Sequence, residues 1–129
     1  MPVIRSHHLS AILTVSPRFV SWQEVDFLAL LKEAVSAAQL TAVGEVAHTF
    51  QPQGISVALL LAESHVALHF WPDLQKVAID IHVCDYQQEN QHKAEHLAEL
   101  LTAKLTDPNL RAVKATDPAP VWHYLSASG

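Results

Sequence analysis

Ile55-Ser56-Val57-Ala58-Leu59-Leu60-Leu61-Ala62-Glu63-Ser64-His65-Val66-Ala67-Leu68-His69-Phe70-Trp71-Pro72 is the stretch on which the fold turns. Its first part, residues 55–62, is apolar everywhere but Ser56. A strand covered on both faces belongs inside a sheet, so we expect it there. The run is far too short to span a bilayer. After a break at Glu63-Ser64, Val66, Leu68 and Phe70 alternate with His65, Ala67, His69 and Trp71, and Pro72-Asp73 closes that strand. Ser64 stands where the two runs meet, with His65 beside it and His69 further along. The chain's one cysteine, Cys84, ends the next alternating run. Together these mark a candidate reactive centre.

Working outward, residues 76–84 alternate most clearly. Val77, Ile79, Ile81 and Val83 face one way; Lys76, Ala78, Asp80, His82 and Cys84 face the other. The branched apolar face is expected to pack on helices, and the opposite face to carry polar chemistry. Upstream, Pro52-Gln53-Gly54 signals a turn after a strand over 45–50, whose start Gly44 loosens. Residues 7–15 read as a first strand with Leu9, Ala11, Leu13 and Val15 on one face, ended by Pro17. A helix is expected from Ser21, where Ser21-Trp22-Gln23-Glu24 has the form of a capping box, with a stripe of Leu28, Leu31, Val35 and Ala38.

Downstream, residues 90–105 form a second helix with the stripe Ala94, Leu97, Ala98, Leu101 and Leu105. A short last strand is expected over 110–114, stopped by Asp117-Pro118-Ala119-Pro120, and residues 121–129 form a tail pinned by Trp122 and Tyr124. The expected class is α+β: a two-layer sandwich, an antiparallel sheet with two helices on one face, in the order β-α-β-β-β-α-β. The uncovered sheet face needs a partner, and a second copy is the simplest one.

With 129 residues, half of them hydrophobic, the chain fits one domain with a real core. The net charge of −5, with eight Lys and Arg in all, argues against nucleic acid. A single cysteine forms no internal disulfide, and no secretory signal pattern is visible, so a reducing cytoplasm is expected. His65, His69, His82 and Cys84 are potential zinc ligands, but without a compact ligand-pair signature no metal is expected. His92 and His96 point away from their helix's apolar stripe, toward solvent. Trp71 reads as a packing anchor.

Pro52-x-Gly54-Ile55-Ser56, Glu63-Ser64-His65-x-x-x-His69-x-Trp71-Pro72 and Ala78-Ile79-Asp80-x-x-x-Cys84 resemble the S-adenosylmethionine decarboxylase family, specifically its small prokaryotic proenzymes. The resemblance extends more weakly from about His8 to Leu105. It implies a chain that cuts itself between Glu63 and Ser64, into residues 1–63 and 64–129, and turns Ser64 into a pyruvoyl cofactor. That ketone forms a Schiff base with a substrate amine and acts as an electron sink for decarboxylation. By the same resemblance His69 is the processing base, Ser56 its helper and Cys84 the proton donor. Phe50 falls where the family stacks the substrate adenine, and Asp73 where it uses glutamate on the ribose.

The implied substrate is S-adenosylmethionine, for spermidine synthesis, and the implied assembly a dimer of cleaved protomers. Departures fall around the motif: Phe70 replaces a usual threonine, Asp85 a usual glycine, and Gln75-Lys76-Val77 a glycine-aromatic-alanine segment. Because the cleavage residues match better than the recognition residues, a pyruvoyl-dependent arginine or ornithine decarboxylase is the alternative. An unprocessed dimeric binding module is a third reading.

Overall fold

The computed structural model describes residues 3–106 and 121–129. The chain runs β1 (Arg5–Thr14), a 3-10 turn (Pro17–Ser21), α1 (Glu24–Ala37), β2 (Ala42–Thr49), β3 (Ile55–Leu61), β4 (Ser64–Trp71), β5 (Lys76–Asp85), α2 (Gln91–Leu105) and β6 (His123–Ser128). The strands form one sheet in the order β2-β3-β4-β5-β1-β6, antiparallel at every pairing. This is the expected α+β sandwich. The runs between the helices form four separate strands, one more than the order β-α-β-β-β-α-β allows.

One sheet face is covered. Leu9, Ala11 and Leu13 of β1, Val57, Leu59 and Leu61 of β3, and Val66, Leu68 and Phe70 of β4 are buried there with Val77, Ile79, Ile81 and Val83 of β5. Against them lie Phe27, Leu31, Ala34 and Val35 of α1 and Ala94, Leu97, Leu101 and Leu105 of α2. Burying each large aliphatic or aromatic side chain contributes about 1.5–3 kcal/mol, so this layer dominates stability. The expected stripe of α2 is the observed one. That of α1 is rotated: Phe27, Leu30 and Ala34 join Leu31 and Val35 in the core, and Leu28 is only half-buried.

Two local expectations are corrected. The first helix starts at Glu24 rather than Ser21. Phe19 is fully buried and meets Trp22 edge-on at 4.5 Å, while Trp22 meets Phe27 at 5.2 Å. Seating these three rings takes a tight turn opened by Pro17, whose missing N–H costs nothing at a helix start. The reciprocal capping acid is then Asp26, whose Oδ2 accepts the Gln23 backbone N–H at 2.8 Å. The second correction is the tail, which is an edge strand, β6, paired with β1 from His123 to Ser128. Trp122 and Tyr124 do pin it: Trp122 Nε1–H donates to Thr102 Oγ1 at 2.9 Å, and the Tyr124 ring stacks on His7. The strand expected over 110–114 lies outside the described residues.

The other sheet face carries His8, Ser10, Ile12, Ser56, Ala58, Leu60, His65, Ala67, His69, Ala78, Asp80, His82 and Cys84, by the register of the strands. Trp71 also lies there and is 44% exposed, so it is no core anchor. Strand parity explains this: its neighbour Phe70 takes the buried position.

Candidate active site

The candidate residues gather at the two ends of the sheet. At one end, Leu61 pairs with Ser64, leaving a two-residue turn of Ala62-Glu63. Glu63 has φ +66°, the left-handed region that suits glycine. Holding a residue with a Cβ there costs about 1 kcal/mol. The Glu63–Ser64 peptide therefore follows directly on a strained residue. Ser64 is buried, on the same side of β4 as Val66 and Leu68, and its Oγ accepts the Cys84 backbone N–H at 3.1 Å.

The Cys84 side chain faces the open side of the sheet, with Sγ 3.5 Å from His82 Nε2. Burial, the Glu63 carboxylate and the Asp85 carboxylate push the Cys84 thiol above its ordinary pKa, in that order of weight. Burial and the neighbouring His65 and His8 hold His82 below its ordinary value, outweighing the attraction of Asp80. The His65 ring lies parallel to His82 at 5.1 Å, and His8 Nε2 is paired with Asp80. This end thus holds a protonated thiol beside an imidazole that stays neutral at neutral pH.

At the other end, Ser56 and His69 sit opposite each other in register, with Ser56 Oγ 2.7 Å from His69 Nδ1. Phe50 lies in the adjacent loop, 47% exposed, with its ring edge-on to His48 at 4.6 Å. Its N–H donates to the Gly54 carbonyl at 2.8 Å, closing the loop. Asp73 is exposed in the turn between β4 and β5. A groove of about 480 Å³ runs beside His69, lined also by Ser10, Ile12, Asp80 and His123.

Ser64 and His69 are the two ends of a five-residue step along β4, roughly 16 Å at about 3.3 Å per residue. An odd step also puts their side chains on opposite faces. The structure therefore places Glu63, Ser64 and Cys84 at one end of the sheet and Phe50, Ser56, His69 and Asp73 at the other, where only Ser56 and His69 are shown in contact, and does not join the two groups within one chain. Among the described residues, no three His, Cys, Asp or Glu side chains converge as a metal site. The sequence reading placed His82 on the face of Cys84 and weighed it only as a zinc ligand; the structure sets its Nε2 3.5 Å from Cys84 Sγ.

A buried serine opening the second strand of an antiparallel hairpin, its hydroxyl accepting the backbone N–H of a cysteine on a helix-backed sheet, defines an α+β sandwich with a candidate reactive centre. The comparisons give the family. Residues 21–111 match the family model described as S-adenosylmethionine decarboxylase. An S-adenosylmethionine decarboxylase proenzyme of Archaeoglobus fulgidus is 34% identical over 82 residues, covering 64% of this chain and 72% of that protein. One from a Sulfurihydrogenibium species is 33% identical over 98 residues, 74% of each chain. The crystal structure of the adenosylmethionine decarboxylase from Aquifex aeolicus superposes with a TM-score of 0.72 at 22% identity, over 97% of this chain and 91% of that one. The chain belongs to the S-adenosylmethionine decarboxylase family, a family of carboxy-lyases. Among the described residues no helix is long and apolar enough to cross a membrane.

Proposed function

We propose that the chain is one catalytic domain that cuts itself between Glu63 and Ser64 and decarboxylates S-adenosylmethionine, a step of spermidine synthesis. The observation that carries the reading is Ser64 itself: it follows the left-handed Glu63, and its Oγ is fixed by the Cys84 N–H. In the self-cleavage, Ser64 Oγ attacks the Glu63 carbonyl carbon, the C–N bond breaks, and an ester replaces the amide. Loss of the serine α-proton then expels the Glu63 carboxylate by β-elimination. Hydrolysis of the resulting enamine releases ammonia and leaves a ketone at the new terminus. This pyruvoyl group supplies the electron sink that the side chains lack. The residues present fit such a group: it needs a serine at a turn and a proton-bearing neighbour, and Cys84, whose thiol holds its proton, is beside it.

Cleavage leaves both products in the sheet. Residues 1–63 supply β1, α1, β2 and β3, and residues 64–129 supply β4, β5, α2 and β6, with β3 still paired to β4 and β1 to β5. His69 acts as the processing base with Ser56 as its helper, and Phe50 and Asp73 hold the adenine and ribose of the substrate. Because these four lie at the far end of the sheet, they serve the Ser64 of a second copy. Two open faces stacked about a two-fold axis that lies between them and across β4 exchange their ends. Ala58, Ala67 and Ala78 in the middle of the face let two sheets approach. Cys84 is a free thiol that has to stay reduced, which suits a reducing cytoplasm.

The recognition residues favour keeping a second substrate class in view: Asp73 is one methylene shorter than the glutamate its position resembles. Intact mass measurement tests the processing. The expected result is two chains, 1–63 and 64–129, the second carrying a ketone, with Ser64→Ala uncut and inactive. A cut Ser64→Ala protein overturns the assignment. Carbon dioxide release from carboxyl-labelled S-adenosylmethionine, arginine and ornithine, run in parallel, decides the substrate.

A further inference from the structure

A continuous run of hydrogen bonds leads from the C-terminal strand to Ser64. Tyr124 Oη lies 2.7 Å from His7 Nδ1, and His7 Nε2 lies 2.9 Å from Asp85 Oδ1. One tautomer satisfies both contacts: Nε2–H donates to the carboxylate, and Nδ1 accepts from the tyrosine hydroxyl. Asp85 Oδ1 also accepts the Asn90 backbone N–H at 2.8 Å, and Asn90 Nδ2–H donates to the Cys84 carbonyl at 3.0 Å. The Cys84 N–H then donates to Ser64 Oγ at 3.1 Å. His7 is 1% exposed and Asn90 8%.

Two further observations set this network apart from polar contacts made in solvent. Among the described residues, the buried Asn90 Oδ1 has no hydrogen-bond partner. Flipping the amide would set that oxygen against the Cys84 carbonyl, so the bond to Cys84 is kept at the cost of an orphaned acceptor. Burial pushes the Asp85 carboxyl upward, but the Asn90 amide, His7 and Arg5 outweigh it and hold it below the ordinary range. Asp85 is therefore a carboxylate that accepts bonds from two elements at once, which makes those bonds the stronger charge-assisted kind.

We propose that Tyr124, His7, Asp85 and Asn90 are positioning residues for self-cleavage: they let β6 fix the Cys84 backbone, whose N–H orients Ser64 Oγ toward the Glu63 carbonyl carbon. The proposal rests on the self-processing reading above and names residues that the cleavage motif does not contain. Asp85 replaces the backbone freedom of a glycine with a tether. That tether joins β1, α2 and the C-terminal strand at the residue next to Cys84. The C-terminal strand is thus part of the processing machinery, although two strands, β5 and β1, lie between it and β4.

The test measures cleavage rate per folded molecule, by intact mass over time on full-length chains, with the folded fraction set by circular dichroism. Asp85→Ala is expected to slow cleavage about tenfold, the scale of losing charge-assisted bonds in a positioning role. Asp85→Asn keeps an acceptor oxygen in place for Asn90 and His7 and restores most of the rate. Tyr124→Phe removes one oxygen from the rim of the network, slows cleavage a few-fold, and carries the test if Asp85→Ala fails to fold. A purely structural role lowers the folded fraction and leaves the rate per folded molecule alone; that result, in Asp85→Ala or in Tyr124→Phe, overturns the proposal. A wild-type chain that stays uncut overturns the self-processing reading itself, and this inference with it.

Discussion

The surroundings of Cys84 suit the proton-donor role proposed for it. A proton donor has to hold its proton at working pH, and a raised pKa favours the neutral thiol. Burial is the largest cause of the rise, followed by Glu63 and then Asp85. The sign for stability follows: the unfolded thiol ionises first, so the shift costs the fold nothing at neutral pH and removes stability only as pH climbs past the ordinary thiol range. In the uncut Ser64→Ala protein, the rate of Cys84 alkylation by iodoacetamide is expected to rise with pH around a midpoint above that of a free thiol. Glu63→Gln in the same background should lower the midpoint without bringing it to the free-thiol value, because burial remains. An unchanged midpoint would refute the charge contribution. Cys84→Ala should still cut, since only the backbone N–H reaches Ser64 Oγ, yet turn over poorly. Full turnover by Cys84→Ala would remove it as the donor.

The β3–β4 hairpin is where an element stores what the residue uses. Glu63 sits at φ +66° without glycine's freedom, while Gly54, at φ +112°, supplies that freedom at the preceding turn. Glu63→Gly should relieve about 1 kcal/mol of strain. In the Ser64→Ala background, where nothing is cut, this should raise the thermal midpoint by a few degrees. In the chain that retains Ser64, the same change should slow cleavage, because a relaxed turn no longer presses the peptide toward the hydroxyl. Faster cleavage with a lower midpoint would show that the turn contributes no drive.

Sequence made some of these elements plain and hid others. The alternation of β5 was legible because Val77, Ile79, Ile81 and Val83 are all buried on one face. The stripe of α2 was legible for the same reason. The strand β6 was not: all six of its residues are exposed, so no buried face imprints a pattern of two. Its pairing with β1 comes from backbone hydrogen bonds, to which side-chain patterns are blind. The start of α1 was misplaced because Ser21 and Glu24 mimic a cap, while the burial of Phe19 and its ring contacts decides where the chain turns. The motif residues were all legible as types. Their division between two ends of the sheet was not, because it depends on strand register, and a count of residues between Ser64 and His69 says nothing of direction until the strand is known to be straight.

At the scale of the whole molecule, that division makes the assembly a chemical question. One copy holds Ser64 and Cys84 at one end of its sheet and Ser56 with His69 roughly 16 Å away. If a second copy supplies the missing half, two inactive chains can repair each other. His69→Ala alone is expected to cut slowly, at least tenfold below wild type, the usual scale for removing a general base. Ser64→Ala alone is expected not to cut. In a mixed dimer, one centre pairs the intact Ser64 of the His69→Ala chain with the intact His69 of the Ser64→Ala chain, while the other centre lacks both. Co-expression with distinguishable tags should therefore restore cleavage of the His69→Ala chain and leave the Ser64→Ala chain whole. The rescue should scale with the fraction of mixed dimers. A site confined to one copy predicts no rescue at any ratio, because each chain would carry its own defect. The pH dependence of subunit association adds a check on which face is shared. His82 is held neutral partly by its burial, and protonating it beside His65 and His8 adds charge to the face proposed for the second copy. Acidifying the mixture below the ordinary histidine range should weaken subunit association, read by sedimentation. His82→Phe should blunt that loss of association if the open sheet face is the interface, and leave it unchanged if the copies meet elsewhere.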